Sequence, residues 1–351
     1  MWGVLACLAA TPAFGACSVK PAGTANIGPY SPGAVRQSVI PYFATSSGFG
    51  CSAAIVSLLS SDSMTATVSS AQNFVLTSTT DASKTVSYTL AADAAGTRPI
   101  AAGTAFVYKG PSVNLLGLIS DVSDVKVYIR PSSTVTVPPG TYTGTFRIDW
   151  AWKFCTGLGV AVLGVEVCAL GALDTNTSPP AVNATSTITV TLVVQDKPVG
   201  MVLSTRTVWD PQFTTSNPRA TPGSRQRTTV TVSNLDIATI DANSLRIVLP
   251  TPARGVVALD GDRTATNAVV TTADGTPASN LALTYTASNA TGDDVEFSNN
   301  PGFALGTEPW SYQPTPGSAA AQAAVTAVRF KPRGTMAAGS SFSVSLPYAV
   351  N

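Results

Sequence analysis

The 351-residue sequence contains no histidine, and only 11% of its residues are charged. Without histidine there is no Ser-His-Asp or Cys-His nucleophile pair and no histidine-ligated metal site, which lowers the expectation of catalysis. The 20 Lys and Arg residues balance 19 Asp and Glu residues, and no run of like charges occurs. A nucleic-acid partner needs clustered cations that displace counterions, so the sequence predicts none. The composition favours a non-enzymatic protein that uses no metal and no cofactor.

Helical spacing of apolar residues is also scarce, and this shortage favours an all-β fold. Short runs rich in Thr and Val recur between turns, which draw on 28 glycines and 25 prolines. Such runs are typical of antiparallel β-sandwiches, and two sandwich domains in tandem would account for the length. The predicted strands are Cys51–Leu59, Met64–Val68, Thr85–Leu90, Ala101–Lys109, Val113–Ile119, Asp124–Arg130, Val137–Phe154, Ser186–Val194, Met201–Trp209, Arg227–Val232, Leu245–Leu249, Asn280–Ser288, Val325–Pro332 and Ser341–Ala349.

Residues 1–16 resemble a secretory signal peptide, since Trp2–Ala16 is apolar and Ala13 and Gly15 are small. No Lys or Arg precedes the apolar run, which departs from the usual pattern. A buried first strand and a lipoprotein signal with an acylated Cys17 are the alternatives. At about 15 residues the segment is too short to span a membrane. We expect the chain to be exported.

Cysteines are few, and removal of the signal peptide takes Cys7 with it. The four that remain, Cys17, Cys51, Cys155 and Cys168, allow three disulfide connectivities. We favour Cys17–Cys51 and Cys155–Cys168 because each pair brackets a local segment the size of a hairpin or loop. Each bridge would add about 2–4 kcal/mol to the free energy of unfolding. A four-cysteine zinc site is disfavoured because no C-x-x-C pair occurs.

The stretch Val137–Cys168 combines a strand with an apolar loop. Its alternation predicts a half-buried strand with one set of side chains inward: Tyr142, Gly144, Phe146, Ile148 and Trp150. The glycine-rich segment between Cys155 and Cys168 follows. If this segment is buried, it is a hairpin that covers one end of the sandwich. If it is exposed, it is an apolar patch of the kind that marks a contact site, with Trp150, Trp152 and Phe154 extending it.

A series of short motifs resembles the spore coat protein U type domain, which occurs in subunits of archaic, Csu-type chaperone–usher pili. The motifs are Cys17-Ser18-Val19, a corner at Ile27–Pro32, Cys51, Ser87–Leu90 and Pro139–Gly144. The likeness covers about Cys17–Gln195. It departs from the family in a longer middle segment and in the additional Cys155–Cys168 loop.

This resemblance implies an immunoglobulin-like sandwich that is assembled by strand addition. The implied partners are a periplasmic chaperone, an outer-membrane usher and neighbouring pilus subunits, and the implied destination is the bacterial cell surface. Almost nothing precedes Cys17 that could serve as a donor extension, so we expect the subunit at the fibre tip. The resemblance also favours the exposed alternative for the apolar loop. The candidate residues for binding an abiotic or host surface are Trp152, Phe154, Leu158, Val160, Val162, Leu163 and Val165.

Gln195–Gly200 is a polar segment with a proline, and it is the best candidate for a domain boundary. We therefore expect a first domain at residues 17–197 and a second, cysteine-free domain at residues 198–351. The second resembles an immunoglobulin-like bacterial surface-protein domain of unknown function. Three segments carry this likeness: Asn217–Gly223 with the strand after it, Asp293–Asn299 and Gly334–Ala338.

Close carboxylates occur only at Asp260–Asp262 and Asp293–Asp294, and we interpret both as turns rather than calcium sites. Asp149 and Glu166 are not interpreted as a glycosidase pair because nothing in the sequence fixes their separation. The leading hypothesis is a pilus-tip adhesin. The alternatives are a structural surface or matrix protein without a specific ligand, and, less favoured, a secreted enzyme.

Overall fold

The computed structural model describes residues 17–51, 55–57, 63–109, 117–119, 124–155, 158–162, 165–170, 173–176, 184–300, 309–315 and 317–351. The predicted signal peptide lies outside the described residues. The chain divides into two compact units, residues 1–196 and 197–351. This division falls within the segment Gln195–Gly200. Each unit is described by itself below.

The N-terminal unit consists of short and long strands with one short helix. Its strands are β1 (Cys17–Val19), β2 (Ala22–Tyr30), β3 (Phe43–Ser46), β4 (Phe49–Cys51), β5 (Ile55–Ser57), β6 (Ser63–Ser69), β7 (Val75–Ser78), β8 (Thr85–Ala91), β9 (Ala105–Lys109), β10 (Gly117–Ile119), β11 (Lys126–Ser132), β12 (Gly140–Cys155), β13 (Leu158–Val162), β14 (Val165–Leu170), β15 (Leu173–Asn176) and β16 (Thr185–Val194). The helix α1 (Pro32–Arg36) follows β2, and its N-cap Ser31 accepts a hydrogen bond from the Ala34 amide at 2.9 Å.

The C-terminal unit has the same character. Its strands are β17 (Gly200–Trp209), β18 (Arg225–Ser233), β19 (Ile247–Pro250), β20 (Gly255–Val257), β21 (Thr271–Asp274), β22 (Val295–Ser298), β23 (Ala327–Phe330) and β24 (Ser341–Val350), and its helix is α2 (Ala319–Ala323). The prediction of an all-β protein is confirmed. Most strand pairs are antiparallel, and the exceptions among the described strands are β2 with β16 and β5 with β13.

The long strand β12 is the central strand of the N-terminal unit and pairs with four other strands. On one side it pairs with β16 and then with β15, and on the other side with β7 and then with β6. Its even-numbered residues from Tyr142 to Trp152 are all buried, as the period of two dictates. Gly144 lies in this series because a Cβ there would stand 2.7 Å from the carbonyl oxygen of Val75. The predicted inward face of this strand is therefore confirmed.

The main sheet of this unit has the order β2-β16-β12-β7-β8-β11-β3, with β6, β9 and β15 attached beside it. The first and last strands of this path lie against each other. The hydroxyl of Thr45 in β3 donates to the carbonyl oxygen of Thr24 in β2 at 3.0 Å. The sheet is thus rolled, so that its end strands β2 and β3 contact each other.

The C-terminal unit is a sandwich of two sheets. One has the order β17-β18-β24-β20, with β21 also paired to β24, and the other has the order β19-β23-β22. Their facing side chains form one core, to which both sheets contribute large residues: Val230, Val232, Phe342, Val344 and Leu346 from the first, and Ile247, Leu249, Phe297, Val328 and Phe330 from the second. Ser341–Ala349 is a strand as predicted, and its residues Phe342, Val344 and Leu346 are buried.

Two predicted strands differ in the structure. Cys51–Leu59 is not one strand, because β4 and β5 belong to different sheets. Asn280–Ser288 forms only an isolated bridge, Ala282 to Arg333. There, the amides of Thr284 and Thr286 donate to the carboxylates of Asp294 and Asp293, so they are not available to a neighbouring strand.

Candidate surface-contact and strand-acceptor sites

A small four-stranded sheet of apolar sequence forms apart from the main sheet of the N-terminal unit. Its order is β10-β5-β13-β14, and its strands come from three connections of the scaffold: β4 to β6, β9 to β11, and β12 to β15. Leu118 of β10 lies opposite Val56 of β5, which also pairs with Leu158 of β13. The sequence analysis predicts a contact segment in the third of these connections and makes no such prediction for the other two.

The predicted apolar loop contains the hairpin β13–β14, in which Val160 lies opposite Val167 and Val162 opposite Val165. Leu158, Val160 and Val162 belong to β13, and Phe154 precedes the hairpin in β12. The side chains of these residues and of Val165, and all of Leu163, lie outside what the structure describes. Their predicted contact with a surface stays a prediction.

Trp152 differs from its predicted position. Its side chain is only 6% exposed, so it belongs to the core and does not extend an exposed patch. Its ring meets Phe49 edge-on with centroids 5.3 Å apart, and the neighbouring Trp150 lies 4.8 Å from the same phenylalanine. Tyr108 packs against Trp150 at 5.2 Å, and burial raises the pKa of its hydroxyl. Both tryptophans share the inward face of β12, which explains their burial.

Asp174 ties this aromatic cluster to the start of β1. Its Oδ1 accepts a hydrogen bond from the Trp152 indole N–H at 3.0 Å, and its Oδ2 accepts one from the Cys17 amide at 2.7 Å. The carboxylate thus joins β12, β15 and β1 next to the segments that lead into the small sheet. A hydrogen bond to a charged acceptor is stronger than one between neutral groups. Asp174 with its two donors, the carboxylate clamp, therefore helps to hold β1, β12 and β15 together.

The four cysteines are arranged differently in the two predicted pairs. Cys17 in β1 lies directly opposite Cys51 in β4. Opposed residues of antiparallel strands have Cα atoms about 4.5–5.5 Å apart, which is within the range that a disulfide bridges. Cys155 lies opposite Leu173, whereas Cys168 lies opposite Gly159. Only the first pair is thus opposed by strand register.

Strand β17 shows an unusual exposure. Met201 and Leu203 are 71% and 58% exposed. Their partners across the ladder, Val232 and Val230, are buried in the core. Directly paired residues point to the same face of a sheet, so the core-facing side of β17 is open. Val202, which faces the other way, is also 64% exposed.

The free side of β17 has a second property. Within the described residues, β17 pairs with β18 alone, so its outer backbone groups have no ladder partner there. Strand β9 is also paired on one side only, but its exposure alternates in the ordinary way: Ala105 and Val107 are exposed, and Phe106 and Tyr108 half-buried. Strand β17 therefore combines a free edge with an uncovered apolar face.

Asp260 and Asp262, which are close together in the sequence, each form an ion pair with an arginine of β18. Asp262 pairs with Arg227 at 2.7 Å, and Asp260 pairs with Arg225 at the same distance. Burial acts to raise the pKa of Asp262, but hydrogen bonds from Thr264 and Arg227 outweigh it and hold the pKa below its ordinary value. Within the described ranges, no group of three potential metal-ligating side chains occurs, and no helix is long and apolar enough to cross a membrane.

Comparison with known families decides the character of the first unit. Residues 5–149 match the family model described as the Spore Coat Protein U domain. The N-terminal unit carries a spore coat protein U domain. The match ends within β12, so the hairpin β13–β14, β15 and β16 lie beyond the matched part of the spore coat protein U domain. The family match supports a role as a subunit of a chaperone–usher pilus at the cell surface.

Three solved structures are similar to this chain at low identity. The chaperone–tip adhesion subunit complex from the archaic Csu pili of Acinetobacter baumannii aligns over 94% of this chain and 99% of that chain, with 15% identity and a TM-score of 0.41. The CooA pilin of enterotoxigenic Escherichia coli aligns over 52% and 99%, with 13% identity and a TM-score of 0.28. The adhesive subunit CfaE of the same bacterium aligns over 52% and 49%, with 13% identity and a TM-score of 0.26. No curated protein sequence matches the chain significantly.

Proposed function

We propose that this chain is a surface-binding subunit at the tip of a chaperone–usher pilus. The C-terminal unit receives a β-strand from a partner at β17, and the N-terminal unit presents the small apolar sheet to an abiotic or host surface. The observation that carries the proposal is the open face of β17, where Met201 and Leu203 are exposed opposite buried Val232 and Val230. An all-β unit with one such strand is suited to accept another.

Strand addition satisfies both properties of β17. An incoming strand pairs with the free backbone edge, which gives affinity, and its alternate side chains cover the open face, which gives specificity. During export the strand comes from a periplasmic chaperone, and in the fibre from a neighbouring subunit that the outer-membrane usher adds. The N-terminal unit, whose sheet ends close on each other through Thr45 and Thr24, needs no such strand for that sheet.

The surface-binding role rests on the apolar sequence of the small sheet. Its strands carry Ile55, Val56, Leu118, Ile119 and Leu158, and the hairpin continues with further valines. Contiguous apolar residues on an exported protein usually mark a contact site. In this proposal a Cys17–Cys51 disulfide, which the strand register supports, and a Cys155–Cys168 disulfide hold the scaffold of the sheet. The second of these closes the hairpin.

Co-expression tests strand addition. The chain is produced in the periplasm together with a chaperone of the Csu type, and the complex is purified through the chaperone. A double variant, Met201→Ser with Leu203→Ser, is expected to lower the yield of complex about tenfold or more, because two apolar side chains lose burial. Val202→Ser on the opposite face is the matched control. Equal yields for the double variant and the control would contradict the role of β17.

Attachment to plastic tests the surface-binding role separately. A variant with Val160, Val162, Leu163 and Val165 changed to Ser is compared with the unchanged protein on cells that display equal amounts. We expect the variant to lose most attachment to polystyrene. Unchanged attachment would contradict the surface-binding role and favour the alternative of a structural surface or matrix protein.

A further inference from the structure

A cavity of about 540 Å³ lies in the C-terminal unit and has no part in the function proposed above. It opens between the turn at residues 288–294, strand β22 and the segment Trp310–Gln313, with Lys331, Arg333 and Arg246 also at its wall. Its volume is within the range of small-molecule sites, about 300–1,000 Å³. The lining combines the aromatic residues Phe297, Trp310 and Tyr312 with several charged groups, which is the composition of a polar ligand site rather than of a packing defect.

The carboxylates at this cavity are all committed to internal hydrogen bonds. Asp293 and Asp294 accept backbone amides of the segment that precedes them. Glu296 holds both Arg329 and Lys331. Burial acts to raise the pKa of Glu296, but the hydrogen bonds from Lys331 and Arg329 outweigh it and lower the pKa below its ordinary value. These acidic groups are engaged by the protein's own donors and therefore offer little to a ligand.

The cations at the cavity, in contrast, have donors to spare. Arg246 uses only Nη1, which donates to the carbonyl oxygens of Asn243 and Leu245 at 2.7 Å each. Its Nε and Nη2 have no partner in the part of the chain that the structure describes. Arg333 uses Nε and Nη2 and retains Nη1, and Lys331 makes a hydrogen bond to a carboxylate with one of its three N–H groups. A ligand that supplies anionic acceptor oxygens would complement these donors.

The aromatic residues define the rest of the ligand. Trp310 lines the cavity with the Arg329 guanidinium 4.6 Å from its ring centroid, and Tyr312 lines it with its hydroxyl donating to the Ala321 carbonyl oxygen at 3.1 Å. Both rings are thus fixed by the surrounding structure. Aromatic walls suit a ligand with an apolar C–H face, and charged donors suit a carboxylate. A sugar ring that bears a carboxylate has both.

We propose that this cavity binds the carboxylated unit of an acidic saccharide, with the carboxylate at Arg246 and Arg333 and the ring against Trp310 and Tyr312. The site is independent of strand addition at β17 and of the small apolar sheet. It would give the C-terminal unit a recognition function of its own.

Binding of methyl glucuronide to the full mature protein tests this proposal, by calorimetry and by saturation-transfer NMR. Methyl glucoside, which lacks the carboxylate, and inorganic phosphate, which lacks the ring, are the comparison ligands. Arg246→Gln removes the spare donors, and Arg254→Gln, at an exposed arginine that does not line the cavity, is the matched control. Trp310→Leu reports on the ring contact. Circular dichroism verifies that each variant is folded.

We expect methyl glucuronide to bind, and methyl glucoside and phosphate to bind at least about tenfold more weakly. Arg246→Gln should weaken glucuronide binding about tenfold, since a hydrogen bond to a charged group is lost, and Arg254→Gln should not. Saturation transfer to the sugar-ring protons should fall in Trp310→Leu. The proposal is overturned if the glucuronide does not bind at millimolar concentration, if the glucoside or phosphate binds equally well, or if both arginine variants behave alike.

Discussion

Replacement of Asp174 by alanine tests whether the carboxylate clamp stabilises the scaffold of the small sheet. The change removes the acceptor of the Cys17 amide at 2.7 Å and of the Trp152 indole at 3.0 Å. Trp152 is only 6% exposed, so water cannot easily replace the lost partner of its N–H group. An unsatisfied buried donor costs about 1–3 kcal/mol, and the lost bond to the amide adds about 1 kcal/mol. The free energy of unfolding should therefore fall by about 2–4 kcal/mol.

Urea unfolding of the full chain, followed by tryptophan fluorescence, measures this change. In a unit of this size, a decrease of about 2–4 kcal/mol in the free energy of unfolding would also lower Tm by about 5–15 °C in thermal unfolding. Asp81→Ala is the matched control because Asp81 is exposed and its hydrogen bonds are confined to its own turn, as those to Ser83 show. It removes the same charge from the same unit and should cost less than about 1 kcal/mol.

The two aspartate variants also separate the clamp from a general effect of charge. If Asp174→Ala and Asp81→Ala unfold at the same urea concentration, the carboxylate does not hold Trp152 and Cys17 as described. If the clamp supports the hairpin, attachment to polystyrene should fall in Asp174→Ala at temperatures where the protein remains folded. Attachment equal to that of Asp81→Ala would refute this link.

Three further predictions concern stability. Gly144→Ala places a methyl group 2.7 Å from a carbonyl oxygen of β7 and should lower the free energy of unfolding, measured in urea, by about 1–3 kcal/mol. An unchanged free energy of unfolding would show that β7 and β12 can move apart at no cost. Asp262 has a lowered pKa, so its contribution is complete above its ordinary pKa near 4 and is lost as the pH falls through the lower folded-state value. Asp262→Asn should thus flatten stability against pH in that acidic range, and it should cost about 3–5 kcal/mol at neutral pH because Arg227 loses its buried partner. Cys17→Ser with Cys51→Ser should cost about 4 kcal/mol for a closed loop of roughly 35 residues, and mass spectrometry with and without reduction checks whether that bond exists.

The sequence was most informative where a local period decides the structure. The alternation from Tyr142 to Trp150 predicted which face of β12 is buried, because side chains of a strand alternate regardless of its partners. The same period, continued by two residues, also places Trp152 inward. The expectation that Trp150 and Trp152 extend an exposed patch is therefore wrong, because both belong to the buried face of β12.

The remaining features depend on partners that are distant in sequence. The small sheet joins residues 55–57, 117–119 and 158–162, and no local pattern specifies that these three connections meet. The strand β17 was predicted correctly, yet its uncovered face is a consequence of which strands the opposite sheet contains. The failed strand at Asn280–Ser288 has a related cause, since Asp293 and Asp294 take two of its amides.

The hydrogen bond from the hydroxyl of Thr45 to the backbone of Thr24 has a consequence for association between copies of this protein. Because the end strands β2 and β3 of the main sheet lie against each other, they offer neighbouring copies little free strand edge for unwanted pairing. In the proposed function, pairing with other subunits then takes place at β17 of the C-terminal unit. In the proposed function, a chain that accepts a strand at β17 and pairs with no other subunit through β2 or β3 can end a filament without starting a branch.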